Sequence, residues 1–195
     1  MMETKAEIRK KMLAVRNGLA ENEIVSKSEA IVHKVLKTPE YEEASNILLY
    51  ADYNHEVMTH GIFEDALMHR KKIYYPKTDP LTNQMEFYQV ISVRQLEHGY
   101  KGILEPKEEQ PQRRYRLNKN EDTLIIVPGV AFDILGYRLG CGKGFYDRFL
   151  SGKRQISTMA LAFSCQILDE LPYEAHDIKM DKIVTEEIIY SFLRI

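Results

Sequence analysis

The sequence predicts an α/β fold, a three-layer α/β/α sandwich built on a mixed, largely parallel sheet. Strand-like and helix-like segments alternate along most of the chain, the pattern of successive βαβ units. Thr123-Leu124-Ile125-Ile126-Val127 is apolar and mostly β-branched, as expected of a strand covered on both faces of a parallel sheet. The length of 195 residues suits one α/β domain with an ample core, so residues 1–195 are read as a single domain.

Ile8, Met12, Val15 and Leu19 recur at helical spacing with Lys and Arg opposite, predicting an opening amphipathic helix. Gly18 and Asn22 are expected to interrupt it, and Val25, Ser28, Val32, Val35 and Leu36 to form a second stripe. Pro39 is expected to stop that helix, because proline lacks the N–H donor and clashes with the preceding turn. Asn46 to Ala51 is too short an apolar run for a helix and reads as a buried strand. Thr59 is placed to cap a helix carrying Ile62, Phe63, Ala66 and Leu67. Its basic end, His69-Arg70-Lys71-Lys72, is read as a solvated last turn favoured by the helix dipole.

Ile73-Tyr74-Tyr75-Pro76 and Met85 to Val90 are the next strand candidates. Residues 106–122, with Pro106, Pro111 and Asn118-Lys119-Asn120, read as a surface loop. Arg113-Arg114-Tyr115-Arg116 inside it is weak evidence for nucleic acid. Beyond the 123–127 strand come a Gly-rich loop, a helix from about Lys143 to Leu150, and strands over Ser157–Phe163 and Lys182–Thr185.

Charge narrows the partners. With 27 Lys+Arg against 29 Asp+Glu and a net charge of −2, the chain lacks the global basic surface that drives non-specific nucleic-acid binding. Two cysteines, Cys141 and Cys165, are too few for a disulfide scaffold or a four-thiolate zinc site. The first residues contain no secretory h-region, and no apolar run approaches the ~20 residues that cross a bilayer. The expectation is a cytoplasmic protein, a monomer, with neither a nucleic acid nor a membrane as partner.

The chemistry is expected between Pro128 and Asp147. Five of the ten glycines lie between 129 and 144. A strand running into a Gly-rich loop and a helix start gathers free backbone N–H groups suited to an anion, usually phosphate. Glycine there permits close approach and positive φ, and Arg138 and Lys143 add cations. The loop is not a Walker A motif, because position 137 is Tyr and Lys143 is followed by Gly144. Nor is it a dinucleotide fingerprint, since the third glycine of Gly140-Cys141-Gly142-Lys143-Gly144 comes one residue early. Asp147 suits either a Mg²⁺ ligand beside polyphosphate or a first-turn aspartate. Asp177 and Asp181 suit an ordinary polar turn.

Val127-Pro128-Gly129-Val130-Ala131-Phe132-Asp133, followed by Gly136-Tyr137-Arg138-Leu139-Gly140-x-Gly142-Lys143-Gly144-x-Tyr146-Asp147, resembles the signature of the 5-formyltetrahydrofolate cyclo-ligases, also called 5,10-methenyltetrahydrofolate synthetases. Lys5-x-x-Ile8-Arg9, Glu56-Val57-x-Thr59, Gly102-Ile103-x-Glu105-Pro106 and His176-Asp177-x-Lys179-x-Asp181 follow the family's order. The resemblance implies conversion of 5-formyltetrahydrofolate, with or without a polyglutamate tail, to the 5,10-methenyl form. ATP would be the co-substrate and Mg²⁺ the cofactor, with release of ADP and phosphate.

It further implies that Lys5, Arg9 and the run Arg138, Leu139, Gly140, Cys141, Gly142, Lys143, Gly144, Phe145 and Tyr146 hold ATP, with Lys143 and Arg138 catalytic. Folate would meet Arg9, Ala51, Glu56 and Cys141 to Phe145, with Glu56 on the pterin. Asp147 and Asp177 would hold Mg²⁺, with Asp181 outside the metal's own ligands. Cys141 stands where the family often has a larger or charged residue, and Phe145 replaces a common Tyr; neither removes a charge the mechanism needs. A small-molecule kinase, another ATP-dependent ligase, and a non-catalytic folate- or nucleotide-binding protein stay open as alternatives.

Overall fold

A computed structural model describes residues 3–107 and 113–193; residues 108–112 of the loop expected over 106–122 lie outside the described residues. The predicted β-branched run forms strand β6 (Thr123–Val127), buried at every position. It lies between β1 (Asn46–Leu48) and β9 (Ser157–Leu161), parallel to both. Next to β1 comes the parallel β2 (Lys72–Asp79), then the antiparallel edge β3 (Gln84–Gln89). On the other side, β9 pairs with the parallel β11 (Lys182–Val184), which pairs with the antiparallel β12 (Ile189–Ser191). The seven-stranded order is β12-β11-β9-β6-β1-β2-β3. The sheet is therefore mixed and largely parallel, as the sequence predicts.

Because side chains alternate along a strand, β6 sends Leu124 and Ile126 to one face and Ile125 and Val127 to the other. The first face is covered by α2 (Glu21–Val35) and α4 (His60–Met68), through Ile24, Ile31, Val35, Ile62, Phe63 and Ala66. The second is covered by α5 (Phe145–Leu150) and by Phe87, Phe132 and Ile156. Those are the three layers. A small sheet of β7 (Ala131–Asp133), β8 (Arg138–Leu139) and β10 (Ile167–Leu168) carries α1 (Lys5–Asn17), with Ile8 and Met12 packed on Val130, Ala131, Leu139 and Leu171. The short strands β4 (Leu96–His98) and β5 (Leu104–Pro106) pair antiparallel.

Several expectations are corrected. On α1 the buried face is Ile8, Met12 and Arg16, while Val15 is exposed. On α2 the buried stripe is Ile24, Ser28, Ile31 and Val35: Ser28 and Val35 are buried as predicted and Val32 and Leu36 pack partly buried against the core, but Ile24 and Ile31 carry the stripe, Val25 faces solvent and Asn22 lies inside the helix. Pro39 does not stop α2, which ends at the Leu36 cap. It instead opens α3 (Pro39–Glu43) at the first helical position, where the missing N–H costs nothing. Thr59 precedes α4 but caps nothing with its side chain; its hydroxyl donates to the Tyr50 carbonyl and Asp52. The helix expected from Lys143 begins at Phe145, because Gly142 and Gly144 take φ of 94° and 64°.

Arg114 pairs with Glu86, and Tyr115 is buried with its hydroxyl on Thr123, so half of the 113–116 run serves packing. Among the described residues no helix is long and apolar enough to cross a membrane.

Candidate functional site

From β1 the chain steps outward to β2, then returns to the opposite side of β1 as β6. At such a reversal the loops leaving the two strands diverge and open a crevice beyond their carboxyl ends, where α/β sheets bind ligands. Both loops here carry predicted site residues.

The loop after β1 makes a tight turn at Tyr53–Glu56. Asn54 and His55 adopt φ of 45° and 59°, left-handed values that side chains other than glycine rarely take. The Glu56 N–H donates to the Tyr53 carbonyl (3.2 Å), and the Tyr53 N–H donates to Glu56 Oε2 (3.1 Å). The strained turn thus fixes the carboxylate. Glu56 is largely buried, and its Oε1 lies 3.7 Å from Arg16 Nη1. Burial pushes its carboxyl up to about 7, against the downward pull of Arg16 and the Tyr53 N–H. Ala51, at the base of this loop, is buried in the core beneath α2 and α4.

The loop after β6 is gripped by two arginines. Arg16 Nη1 donates to the Gly129 carbonyl (3.4 Å) and Arg138 Nη1 to the Pro128 carbonyl (3.5 Å). Buried Gln166 also donates to the carbonyls of Gly129 (3.1 Å) and Val130 (3.0 Å). Both guanidiniums are about 95% buried, and each keeps a buried Nε with no hydrogen-bond partner. An unsatisfied buried donor on a cation is costly, and an acceptor arriving in the crevice would relieve it.

Between β8 and α5 runs the Gly-rich loop. A side chain at Gly140 would place its Cβ 2.6 Å from Arg138 Nη1, so it would have to push the end of Arg138 aside. Arg9 Nε donates to the Gly140 carbonyl (2.8 Å), and the Arg9 guanidinium lies 3.5 Å from where a Gly142 Cβ would stand. Cys141, Gly142 and Lys143 are exposed at the tip, and Lys143 makes no ion pair with the described residues. With six residues, α5 has under two turns. The side-chain cations therefore supply more of the positive field here than the sequence argument assigned to the helix.

Arg138 sits over the Tyr146 ring (5.5 Å) and pairs with Asp147 (Nη2 to Oδ2, 3.0 Å). Burial, followed by the Glu56 charge, raises the Tyr146 phenol, so it stays protonated. Leu139 turns its side chain into the core against α1, leaving only backbone for a ligand. Phe145 packs at the edge of the second-face core, with Arg148 over its ring (5.8 Å).

Asp147 Oδ1 accepts the Ile178 N–H (3.3 Å), which brings it beside the segment carrying Asp177. Asp177 accepts from Lys5 (2.7 Å) and the Glu174 N–H (2.8 Å). Burial alone would lower the Lys5 ammonium, but hydrogen bonds to Asp177 and Glu174 raise it above its ordinary value. Burial likewise opposes ionisation of Asp177, yet Lys5 and the Glu174 N–H hold its carboxyl below the usual range. Asp181 instead accepts from the Thr158 N–H (2.6 Å) and hydroxyl (2.8 Å), tying the start of β11 to β9.

No group of three or more His, Cys, Asp or Glu side chains arranged to hold a metal ion occurs among the described residues. Two carboxylates suit Mg²⁺, which takes one or two from protein and the rest of its six ligands from phosphate oxygens and water. They do not suit a closed structural site.

The predicted residues Lys5, Arg9, Arg138, Gly140, Gly142, Asp147 and Asp177 thus meet around one loop, and Glu56 lies near enough to Tyr146 at its end for its charge to act on that phenol. Sequence reasoning missed Arg16, Gln166 and Tyr50, whose hydroxyl donates to the Val57 carbonyl. The available signal for Arg16 was its place four residues beyond Met12, on the buried stripe of α1. A cleft of about 410 Å³ at the opposite ends of β1 and β2 has Lys72 and Arg114 in its lining, each already paired with a glutamate.

The chain is 33% identical to a probable 5-formyltetrahydrofolate cyclo-ligase of Schizosaccharomyces pombe, over 87% of this chain and 88% of the relative. It is 30% identical to the 5-formyltetrahydrofolate cyclo-ligase of Mus musculus, over 94% and 92%. The NMR structure of Aquifex aeolicus 5,10-methenyltetrahydrofolate synthetase superimposes with a TM-score of 0.80 at 36% identity, covering 96% of this chain and 92% of that one. A 5,10-methenyltetrahydrofolate synthetase from Mycoplasma pneumoniae gives 0.71 at 26% identity, covering 94% and 99%. Residues 1–186 match the 5-formyltetrahydrofolate cyclo-ligase family, and with the switch-point crevice and its arginine-gripped loops this chain belongs to that family.

Proposed function

We propose that this chain catalyses the ATP-dependent closure of 5-formyltetrahydrofolate to 5,10-methenyltetrahydrofolate, releasing ADP and phosphate. The observation that carries this reading is the pair of buried guanidiniums, Arg16 and Arg138, gripping adjacent carbonyls with an unsatisfied Nε each. One adjoins Glu56 and the other adjoins the Gly-rich loop. The crevice therefore has an end suited to hydrogen-bond donors of a pterin and an end suited to phosphates.

The reaction requires activation of a poor leaving group. The formyl oxygen takes the γ-phosphoryl group of ATP, breaking the bond to the ADP oxygen. N10 then attacks the formyl carbon and loses its proton, and the oxygen departs with phosphate, leaving the methenyl bridge between N5 and N10. Such transfers depend mainly on positioning and charge neutralisation. Lys143, exposed at the loop tip, reaches the transferring group. Arg138 neutralises developing charge while holding Asp147, and Lys5 and Arg9 bind the nucleotide from one face of α1. Glu56 accepts from the pterin, and Ala51 and Phe145 form apolar wall.

Asp147 and Asp177 would hold Mg²⁺ once phosphates complete its shell, where it would screen the phosphate charge. Lys5 would then exchange part of its contact with Asp177 for the nucleotide. Substrate and ATP are the partners in this reading, in the cytoplasm, with no nucleic acid or membrane involved. The purified protein with 5-formyltetrahydrofolate, ATP and Mg²⁺ is expected to produce the near-ultraviolet absorbance of the methenyl product, and chelation of the metal to stop it. Absence of an ATP-dependent rise would refute the proposal.

A further inference from the structure

Arg16 stands on the apolar stripe of α1, where burying a charge is costly unless something compensates it. Two contacts do. Its Nη1 donates to the Gly129 carbonyl and lies 3.7 Å from Glu56 Oε1. We propose, on the reading of the crevice given above, that Arg16 is a positioning residue for substrate. Braced on the end of β6, it holds the Glu56 carboxylate ionised and turned into the crevice, and so sets the affinity for the folate without touching the reacting atoms.

Other groups facing Glu56 do not replace it. Asp52, on the same loop, is an anion and disfavours a second charge. Tyr50 at the end of β1 and Tyr146 on α5 are phenols kept neutral by burial. The Tyr53 N–H is a single neutral donor on the second carboxylate oxygen. Arg16 is therefore the cation that offsets the burial of Glu56, whose carboxyl stands at about 7 with Arg16 in place. If ionised Glu56 is the form that accepts from the pterin, folate affinity is present above that pH and is lost as pH falls through it. Removing Arg16 moves the loss to higher pH.

The test uses Arg16→Met, which keeps length without charge, and Arg16→Lys, which keeps charge without the planar fork. In Arg16→Met at pH 7.5 the KM for 5-formyltetrahydrofolate is expected to rise by roughly 10-fold or more. The KM for ATP should stay within about twofold, and the acid limb of the folate affinity profile should shift upward. Arg16→Lys should return that limb toward wild type, and Arg16→Met should add no further loss in a Glu56→Gln background. Equal changes in both KM values, or a lower melting temperature with the wild-type pH profile, would overturn the proposal. The Glu56 carboxyl carbon, followed by ¹³C NMR in the substrate-free protein and assigned through Glu56→Gln, supplies an activity-independent readout. A midpoint that rises in Arg16→Met supports the role of Arg16 even if turnover is absent and the cyclo-ligase reading fails. An unmoved midpoint in an active enzyme sinks the Arg16 inference alone. Should Arg16→Met fail to fold, Arg16→Gln carries the same measurements.

Discussion

Among the described residues Lys143 has no anionic partner, and unlike Arg9, which is tied to the Gly140 carbonyl, it stands at the exposed tip of its loop. Lys5 is committed to Asp177 and Glu174, Arg138 to Asp147, and Arg16 faces Glu56. A cation held out unpaired contributes little to folding and is available to a ligand. Lys143→Ala should therefore lower kcat by roughly 10³-fold, the scale of losing a group that meets charge developing in the transition state. Equilibrium binding of 5-formyltetrahydrofolate and the melting temperature should hardly change, as for exposed substitutions generally. Loss of folate binding in parallel with turnover would mean that the loop serves the other substrate. Lys143, Arg138 and Asp147 were legible in the sequence because glycine spacing and the surrounding motif mark them. Arg16 was not, because a pattern argument sends charged residues to the outer face of a helix, and only the distant Glu56 and Gly129 make its burial tolerable.

The Gly-rich connection between β8 and α5 behaves as an element in its own right, and a comparison of one glycine inside it with one just beyond α5 separates its shape from its function. Gly142 and Gly152 both take left-handed φ, 94° and 74°. A Cβ at Gly152 would meet nothing within 4 Å, while one at Gly142 would stand 3.5 Å from the Arg9 guanidinium. Alanine at either position should cost about 1–2 kcal/mol of backbone strain, lowering the melting temperature by several degrees for a chain of this size. Gly142→Ala alone should also raise the KM for ATP; an equal kinetic effect of Gly152→Ala would show that general destabilisation accounts for both. This element was readable from its composition, although its helix starts two residues later than predicted. Other elements were less so. On α2, Ser28 and Val35 were placed correctly but Ile24 and Ile31 were passed over, because Val25 and Val32 suit a helical repeat equally well. The strand β12 is three residues long, and its place is set by pairing with β11, a non-local contact that no window of sequence contains.

At the scale of the molecule, every residue assigned a role belongs to one polypeptide, and α1 reaches the site from 131 residues away in sequence through the bond from Arg9 to Gly140. We propose that a monomer of 22.8 kDa carries the activity. Sedimentation of active enzyme should give that mass, with activity per chain constant on dilution; activity that falls as the protein is diluted would point to a required partner copy. The alternation of strands and helices made the layers legible, and the unbroken β6 run marked the sheet's interior. The strand order was not legible, because whether β6 returns beside β1 or follows β2 depends on which faces pack, and the crevice exists only because of that return. The docking of α1 has a consequence for synthesis. This helix emerges from the ribosome early, yet its apolar stripe packs on Val130, Ala131, Leu139 and Leu171, and Lys5 meets Asp177. During translation it must wait, cationic and half-apolar, for most of the chain to appear. Its closure onto the small sheet is then a late step, and a truncated chain that has folded its central strands still lacks the bonds that tie α1 to the Gly-rich loop and to Asp177.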